Sequence, residues 1–102
     1  MPKAVAVVGA SSDRSKFSNK AVRAYLAQGW TVYPVNPKGG TIEGLKAYAT
    51  LAEIPAVLDR VTVYLPPALA VRALADIAAV KPTEFFVNPG AEDAPEIFVT
   101  VD

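Results

Sequence analysis

The residues best placed to do chemistry sit at four turns. Gly9-Ala-Ser-Ser12 follows the apolar run Ala4–Val8, and Asn36-Pro37-Lys38 follows Thr31–Val35. Pro66-Pro67 follows Arg60–Leu65, and Asn88-Pro89-Gly90 closes the run that starts at Glu84. A glycine and two serines between a strand and an amphipathic segment, which here opens at Phe17, can hold an anion. The helix N-terminus presents unpaired N–H groups, and its dipole favours negative charge. An ordinary turn without a ligand uses the same residue types, so charge and spacing have to discriminate.

The chain has neither histidine nor cysteine. That removes the commonest general acid–base, the commonest transition-metal ligand and all thiolate chemistry. Asp93 and Glu96 could lie one helical turn apart, but they read as solvated surface, and no other carboxylate pair has a recognisable spacing. We therefore expect a binding module rather than an enzyme, with no metal site.

Net charge is zero, yet it is unevenly spread. Residues 1–38 carry Lys3, Arg14, Lys16, Lys20, Arg23 and Lys38 against a single acid, Asp13, whereas acids outnumber bases beyond Gly39. The basic excess lies in the same part of the chain as the Gly9–Ser12 turn. It is too sparse, and too poor in interleaved aromatics, for a nucleic-acid surface. A small polyanion fits it better.

Which polyanion can be narrowed. The dinucleotide fingerprint G-x-G-x-x-G is absent, because Ala10 and Ser11 follow Gly9 and the next glycine is Gly29. An NAD site also places an acid at the end of the second strand. Here that position holds Asn36, with Lys38 two residues on. A lysine there suits an extra ribose phosphate, either the 2′-phosphate of NADP or the 3′-phosphate of coenzyme A. No G-x-x-x-x-G-K-[ST] occurs, which argues against a P-loop NTPase.

The elements that must position these turns follow from pattern. Ala4–Val8 is continuously apolar, as suits a strand buried on both faces of a parallel sheet. Phe17, Ala21, Val22, Tyr25 and Leu26 recur at helical spacing, and Gly29 suits a C-terminal cap. Thr31–Val35 reads as a second strand. Thr41–Ala49 is weakly patterned, with Ile42, Leu45 and Tyr48 as its buried positions, and a short helical turn is expected at 51–53. Arg60–Leu65 is a strand. Pro66-Pro67 opens a helix whose apolar stripe is Ala70, Val71, Leu74, Ile77 and Ala78. Glu84–Asn88 is a further strand.

This alternation predicts a single α/β domain over residues 1–102, with a mostly parallel sheet of about five strands and helices on both faces. Only six residues separate Gly90 from Ile97–Val101, too few for a parallel crossover, so that segment is expected as an extended or antiparallel edge. No apolar run approaches the length of a membrane span. Met1-Pro-Lys-Ala leads straight into the first strand, so we expect no signal peptide and a cytoplasmic location.

Several of these residues together resemble a known family. Val7-Val-Gly-Ala-Ser11, Lys16-Phe17, Asn19, Val32-Tyr-Pro-Val-Asn-Pro37, Gly44-Leu-Lys-Ala-Tyr48, Leu51, Ile54-Pro55, Val63-Tyr-Leu-Pro-Pro67 and Val87-Asn-Pro-Gly-Ala91 are similar to the small stand-alone CoA-binding domain proteins. Those in turn resemble the N-terminal domain of the succinyl-CoA synthetase α subunit. The resemblance implies a Rossmann-like fold binding coenzyme A or an acyl-CoA. It implies that Gly9, Ala10, Ser11 and Ser12 hold the pyrophosphate through backbone N–H and hydroxyl groups. Asn36, Pro37 and Lys38 would face the adenosine ribose and its 3′-phosphate. Leu65, Pro66, Pro67 and Val71 would wall the adenine, and Asn88, Pro89 and Gly90 would lie near the pantetheine arm. One departure lies in the loop, where the family often has glycine and proline and this chain has Ser18 and Arg14; by the same resemblance a full helix and a last strand would be expected after residue 92, where this sequence is shorter.

Two other readings remain open at this stage. One is an NADP-type reductase fragment. The other is a regulatory module with a vestigial ligand site, working as a homodimer or docked to a partner enzyme, for which Ile97–Val101 offers a strand edge.

Overall fold

The computed structural model describes residues 2–88 and the backbone of residues 99–101. Strand β1 (Ala4–Val8) is followed by helix α1 (Phe17–Ala27) and strand β2 (Thr31–Val35). A two-strand hairpin, β3 (Thr41–Ile42) and β4 (Leu45–Lys46), leads to a single 3-10 turn at Leu51–Glu53. Strand β5 (Arg60–Val63), helix α2 (Pro67–Val80), strand β6 (Glu84–Val87) and strand β7 (Val99–Val101) complete the order. The sheet runs β2-β1-β5-β6-β7; its first four strands are parallel, and β7 lies antiparallel to β6. The expected α/β architecture and the antiparallel edge are both present; residues 97 and 98 of the expected edge lie outside the described residues.

Alternation along β1 builds the layers. Val5 and Val7 pack with Ala21 and Val22 of α1 on one face, while Ala6 and Val8 join Ala70 and Ile77 of α2 on the other. A strand with apolar residues on both faces is what a sheet covered on two sides requires. One helix therefore lies on each face of the sheet.

Helix α2 is rotated relative to the expected stripe. Ala70 and Ile77 are buried, with Ala73 and Val80 packed beside them, but Val71 is 67% exposed and Leu74 43%. The sheet offers α2 a narrow contact, so only one side of an almost wholly apolar helix is covered. Along α1 the buried set is Ser18, Asn19, Ala21 and Val22, and Leu26 turns outward. The weakly patterned stretch after Gly40 is the hairpin, whose two-residue turn places Glu43 at φ 50° and Gly44 at φ 78°. Positive φ at both central positions is the conformation that matches strand twist in short hairpins. No helix among the described residues is long and apolar enough to cross a membrane.

Candidate functional site

The strand register sets the site. Val8 pairs with Val35 on one side and Val63 on the other, and Val63 pairs with Val87. The segments that follow these four residues therefore emerge at one edge of the sheet. Chain order reverses at β1: β2 lies to one side and β5 to the other. Ligands of open parallel sheets bind outside the carboxyl ends at such a reversal.

The turn after β1 is held from inside. Gly9 and Ala10 both donate their N–H to the Val35 carbonyl at 3.1 Å, which is how the chain leaves β1 toward the end of β2. Those two N–H groups are thus engaged within the protein, which leaves the Ser11 and Ser12 groups of the expected pyrophosphate loop. Gly9 stands at φ 83°, and a Cβ there would overlap the Tyr64 carbonyl oxygen and lie 2.9 Å from Leu65 Cδ2. The close passage of the chain after β5 already demands a glycine here.

Beyond Ala10 the carbonyls are turned inward. Ala10 O accepts from Asn36 Nδ2 at 2.9 Å, and Ser11 O accepts from Asn19 Nδ2 at 2.9 Å. Asp13 O accepts from the Lys16 N–H, and Arg14 O from Arg23 Nη2. The Ser11 hydroxyl accepts from the Asp13 N–H, and the Asp13 carboxylate takes both the amide and the hydroxyl of Ser15. The Ser15 hydroxyl foremost, with its amide, holds Asp13 below the usual carboxylate range. The N–H groups of Ser11 and Ser12 form no hydrogen bond among the described residues. Backbone N–H groups left without a protein acceptor beside carbonyls that are engaged are what an anion-binding concavity offers.

Asn36 closes the second strand end. Its Nδ2 reaches Ala10 O, and its Oδ1 accepts the Lys38 N–H at 2.8 Å. The amide thus ties the β2 turn to the β1 turn at the position where a ribose contact is expected. Lys38 is exposed, and its ammonium meets no acid among the described residues, so its charge is available at this edge. Pro37 lines the cleft described next.

A cleft of about 230 Å³ opens beside Gly9, between the β1 and β2 ends and helix α2. Its walls are largely apolar (Val35, Pro37, Leu51, Leu65, Leu69 and Ala73), with Arg72, Asp76 and Thr50 also lining it. Of the expected adenine wall, Leu65 is present. Leu65 also lines a neighbouring apolar hollow together with Pro67, Val71, Leu74 and Val87, so three of the four expected residues meet there, while exposed Pro66 caps the start of α2. The rotation of α2 that exposes Val71 brings Leu69, Arg72 and Ala73 to the cleft. Moving the expected stripe back by one position would have found Leu69, Ala73 and Asp76, though not Arg72. Larger hollows beside α1 and at the amino edge of the sheet lie away from the strand ends.

Asn88 serves the sheet. It is 1% exposed, and its Nδ2 donates to Thr62 Oγ1 and Val63 O, which pins β6 to β5. Pro89 and Gly90, expected beside it, lie outside the described residues, as do Asp93 and Glu96.

Comparison with known proteins follows this geometry. The sequence model of a family described as CoA binding domain matches residues 3–97. The chain belongs to this family. It is 38% identical over 68 residues to the ADP-forming acetate–CoA ligase II subunit alpha of Pyrococcus furiosus, covering 64% of this chain and 14% of that one. It is 36% identical over 73 residues to ADP-forming acetate–CoA ligase I of Archaeoglobus fulgidus, covering 72% of this chain and 11% of the relative. The chain thus spans only a small part of the curated relatives it matches. Among solved structures, a conserved hypothetical protein from Pyrococcus furiosus superimposes with a TM-score of 0.77 at 31% identity, covering 91% of this chain and 79% of that one. The dinucleotide-forming acetyl-coenzyme A synthetase 1 of Ca. Korarchaeum cryptofilum gives 0.73 at 32% identity, over 79% of this chain and 18% of that one.

Proposed function

We propose that this CoA-binding-family chain binds coenzyme A or an acyl-CoA as a small, non-catalytic module. The observation that carries the reading is the Ser11–Ser12 loop, where the Ala10 and Ser11 carbonyls are engaged and the Ser11 and Ser12 N–H groups meet no acceptor among the described residues. A pyrophosphate there would take those N–H groups and the Ser11 hydroxyl. The apolar cleft beside Gly9 would hold the adenine against Leu65 and Leu69, and Lys38 would meet the 3′-phosphate. The relatives named as ligase subunits support docking of this cytoplasmic module to a partner enzyme.

Thermal unfolding tests the ligand. Coenzyme A at a hundredfold excess over its Kd stabilises the fold by about 2.7 kcal/mol, which raises the Tm of a chain this size by roughly 10 °C or more. NAD and NADP at the same concentration are expected to give smaller rises. An equal or larger rise with NADP replaces this reading with the reductase-type one, and no rise with any nucleotide points to a vestigial site.

Lys38→Ala should weaken coenzyme A about two- to fivefold, because an exposed ammonium–phosphate contact is worth roughly 0.5–1 kcal/mol. Dephospho-CoA should bind this variant as it binds the wild type. Equal losses by calorimetric titration would take Lys38 off the 3′-phosphate.

A further inference from the structure

Glu43 occupies an unusual position. It is a non-glycine residue at φ 50°, a left-handed conformation that L side chains adopt at a cost and that surrounding contacts must impose. Those contacts are visible. Its Oε2 accepts from Asn19 Nδ2 at 3.1 Å and lies 3.6 Å from Arg14 Nε. Asn19 is fully buried, and its remaining partners are Ser11 O and Arg23 Nε, so the carboxylate is fixed against the back of the anion loop.

The two partners of Glu43 differ in how firmly they are held. Asn19 cannot move without breaking three hydrogen bonds. Arg14 belongs to the loop itself, its side chain is 66% exposed, and its ion pair is long. Such a pair contributes little and exchanges readily. The other acid of the loop, Asp13, is already engaged by Ser15. Of the two guanidinium groups against the loop, that of Arg23 is held by Asn19 and the Arg14 carbonyl, so a phosphate arriving at the Ser11–Ser12 N–H groups would find the looser one, Arg14, paired to Glu43.

We propose that Glu43 is an internal competitor for the ligand's phosphate: Arg14 pairs with it in the unliganded protein and transfers to the phosphate on binding, so that Glu43 sets the affinity of the loop. The inference rests on the coenzyme A reading and adds the residue that tunes it. Its carboxylate also limits the loop's attraction for inorganic anions, which offer no adenine to fill the apolar cleft.

Glu43→Gln tests this without disturbing the turn, because the amide oxygen still accepts from Asn19 and the backbone strain is unchanged. Calorimetric titration at low salt should show the variant binding coenzyme A about two- to fivefold tighter than wild type, the value of an exposed ion pair released to the ligand. The gain should shrink as salt is added, should be equal for dephospho-CoA, and should vanish in the Arg14→Ala background. A side chain that only builds the turn would shift Tm and leave all four affinities in step. Wild type that binds coenzyme A together with an unchanged or weaker Glu43→Gln overturns this inference alone. Wild type that fails to bind coenzyme A overturns the reading beneath it as well.

Discussion

Gly9→Val should not yield a stably folded protein. Two costs add at this position. The left-handed φ of 83° is unfavourable to any side chain, at about 1–3 kcal/mol. The new Cβ also overlaps the Tyr64 carbonyl, a backbone atom at the end of β5 that cannot rotate away. Forcing β1 and β5 apart there costs roughly a further 1–3 kcal/mol as overpacking. The sum approaches the total stability of an ordinary domain, about 5–15 kcal/mol. Gly9→Ala meets the same oxygen and should lower the urea midpoint by a similar mechanism, with less from side-chain bulk. A Gly9→Ala protein that unfolds at the wild-type midpoint would show that Tyr64 does not pass where the structure puts it.

Asn19→Leu should be nearly as damaging, and it separates fold from site. Leucine keeps the volume but leaves Ser11 O, Arg23 Nε and Glu43 Oε2 without their shared partner. Stranding polar groups at a buried position costs about 1–3 kcal/mol each when water cannot replace the partner, so a total of roughly 2–4 kcal/mol is expected from this partly accessible set. Asn19→Asp gives the sharper signature. The introduced carboxylate is buried and faces Glu43 and the Ser11 carbonyl; the Arg23 guanidinium offsets part of this, and burial with the two facing oxygens leaves the folded-state pKa above its unfolded value. The native state then holds the extra proton more readily, and the deficit relative to wild type shrinks as pH falls from 7 toward 4. Denaturation midpoints against pH check this; a deficit independent of pH would mean that the side chain does not face Glu43.

The fold was legible wherever a local signal coincided with a global demand. Ala4–Val8 read as a strand because a doubly covered position needs an unbroken apolar run, and Pro66-Pro67 marked the start of α2 because proline suits a first helical turn. The hairpin at Thr41–Lys46 was not legible: two-residue strands leave no period, and its Glu43-Gly44 turn lacks the usual asparagine or aspartate lead. The face of α2 was misread by one position, since Val71, Leu74 and Ala78 are as apolar as the residues that are buried.

For the site, the sequence indicated which turns converge but not who bonds to whom. Asn36 and Asn88 have the residue type of ligand contacts, yet they tie strand ends together. Gly9 and Ala10 have the residue types of an anion loop, yet their N–H groups serve Val35. Asn19 stood out only through the resemblance, because a polar residue inside a helical pattern carries no mark of being a buried hub. Partners far apart in sequence, such as Asn19 and Glu43, leave no spacing to read.

Pro34 lies in β2, at the outer margin of the sheet opposite β7. It has no N–H, its carbonyl accepts from the Tyr48 N–H, and the Asn36 N–H donates to the Tyr48 carbonyl. From Pro34 to Asn36 the outward groups are therefore missing or taken, which leaves only those of Val32 along β2, and a second molecule finds no continuous ladder to extend. Concentrated solutions of the folded protein should resist fibrillar association through this side, and any self-assembly by strand addition is directed to the opposite margin.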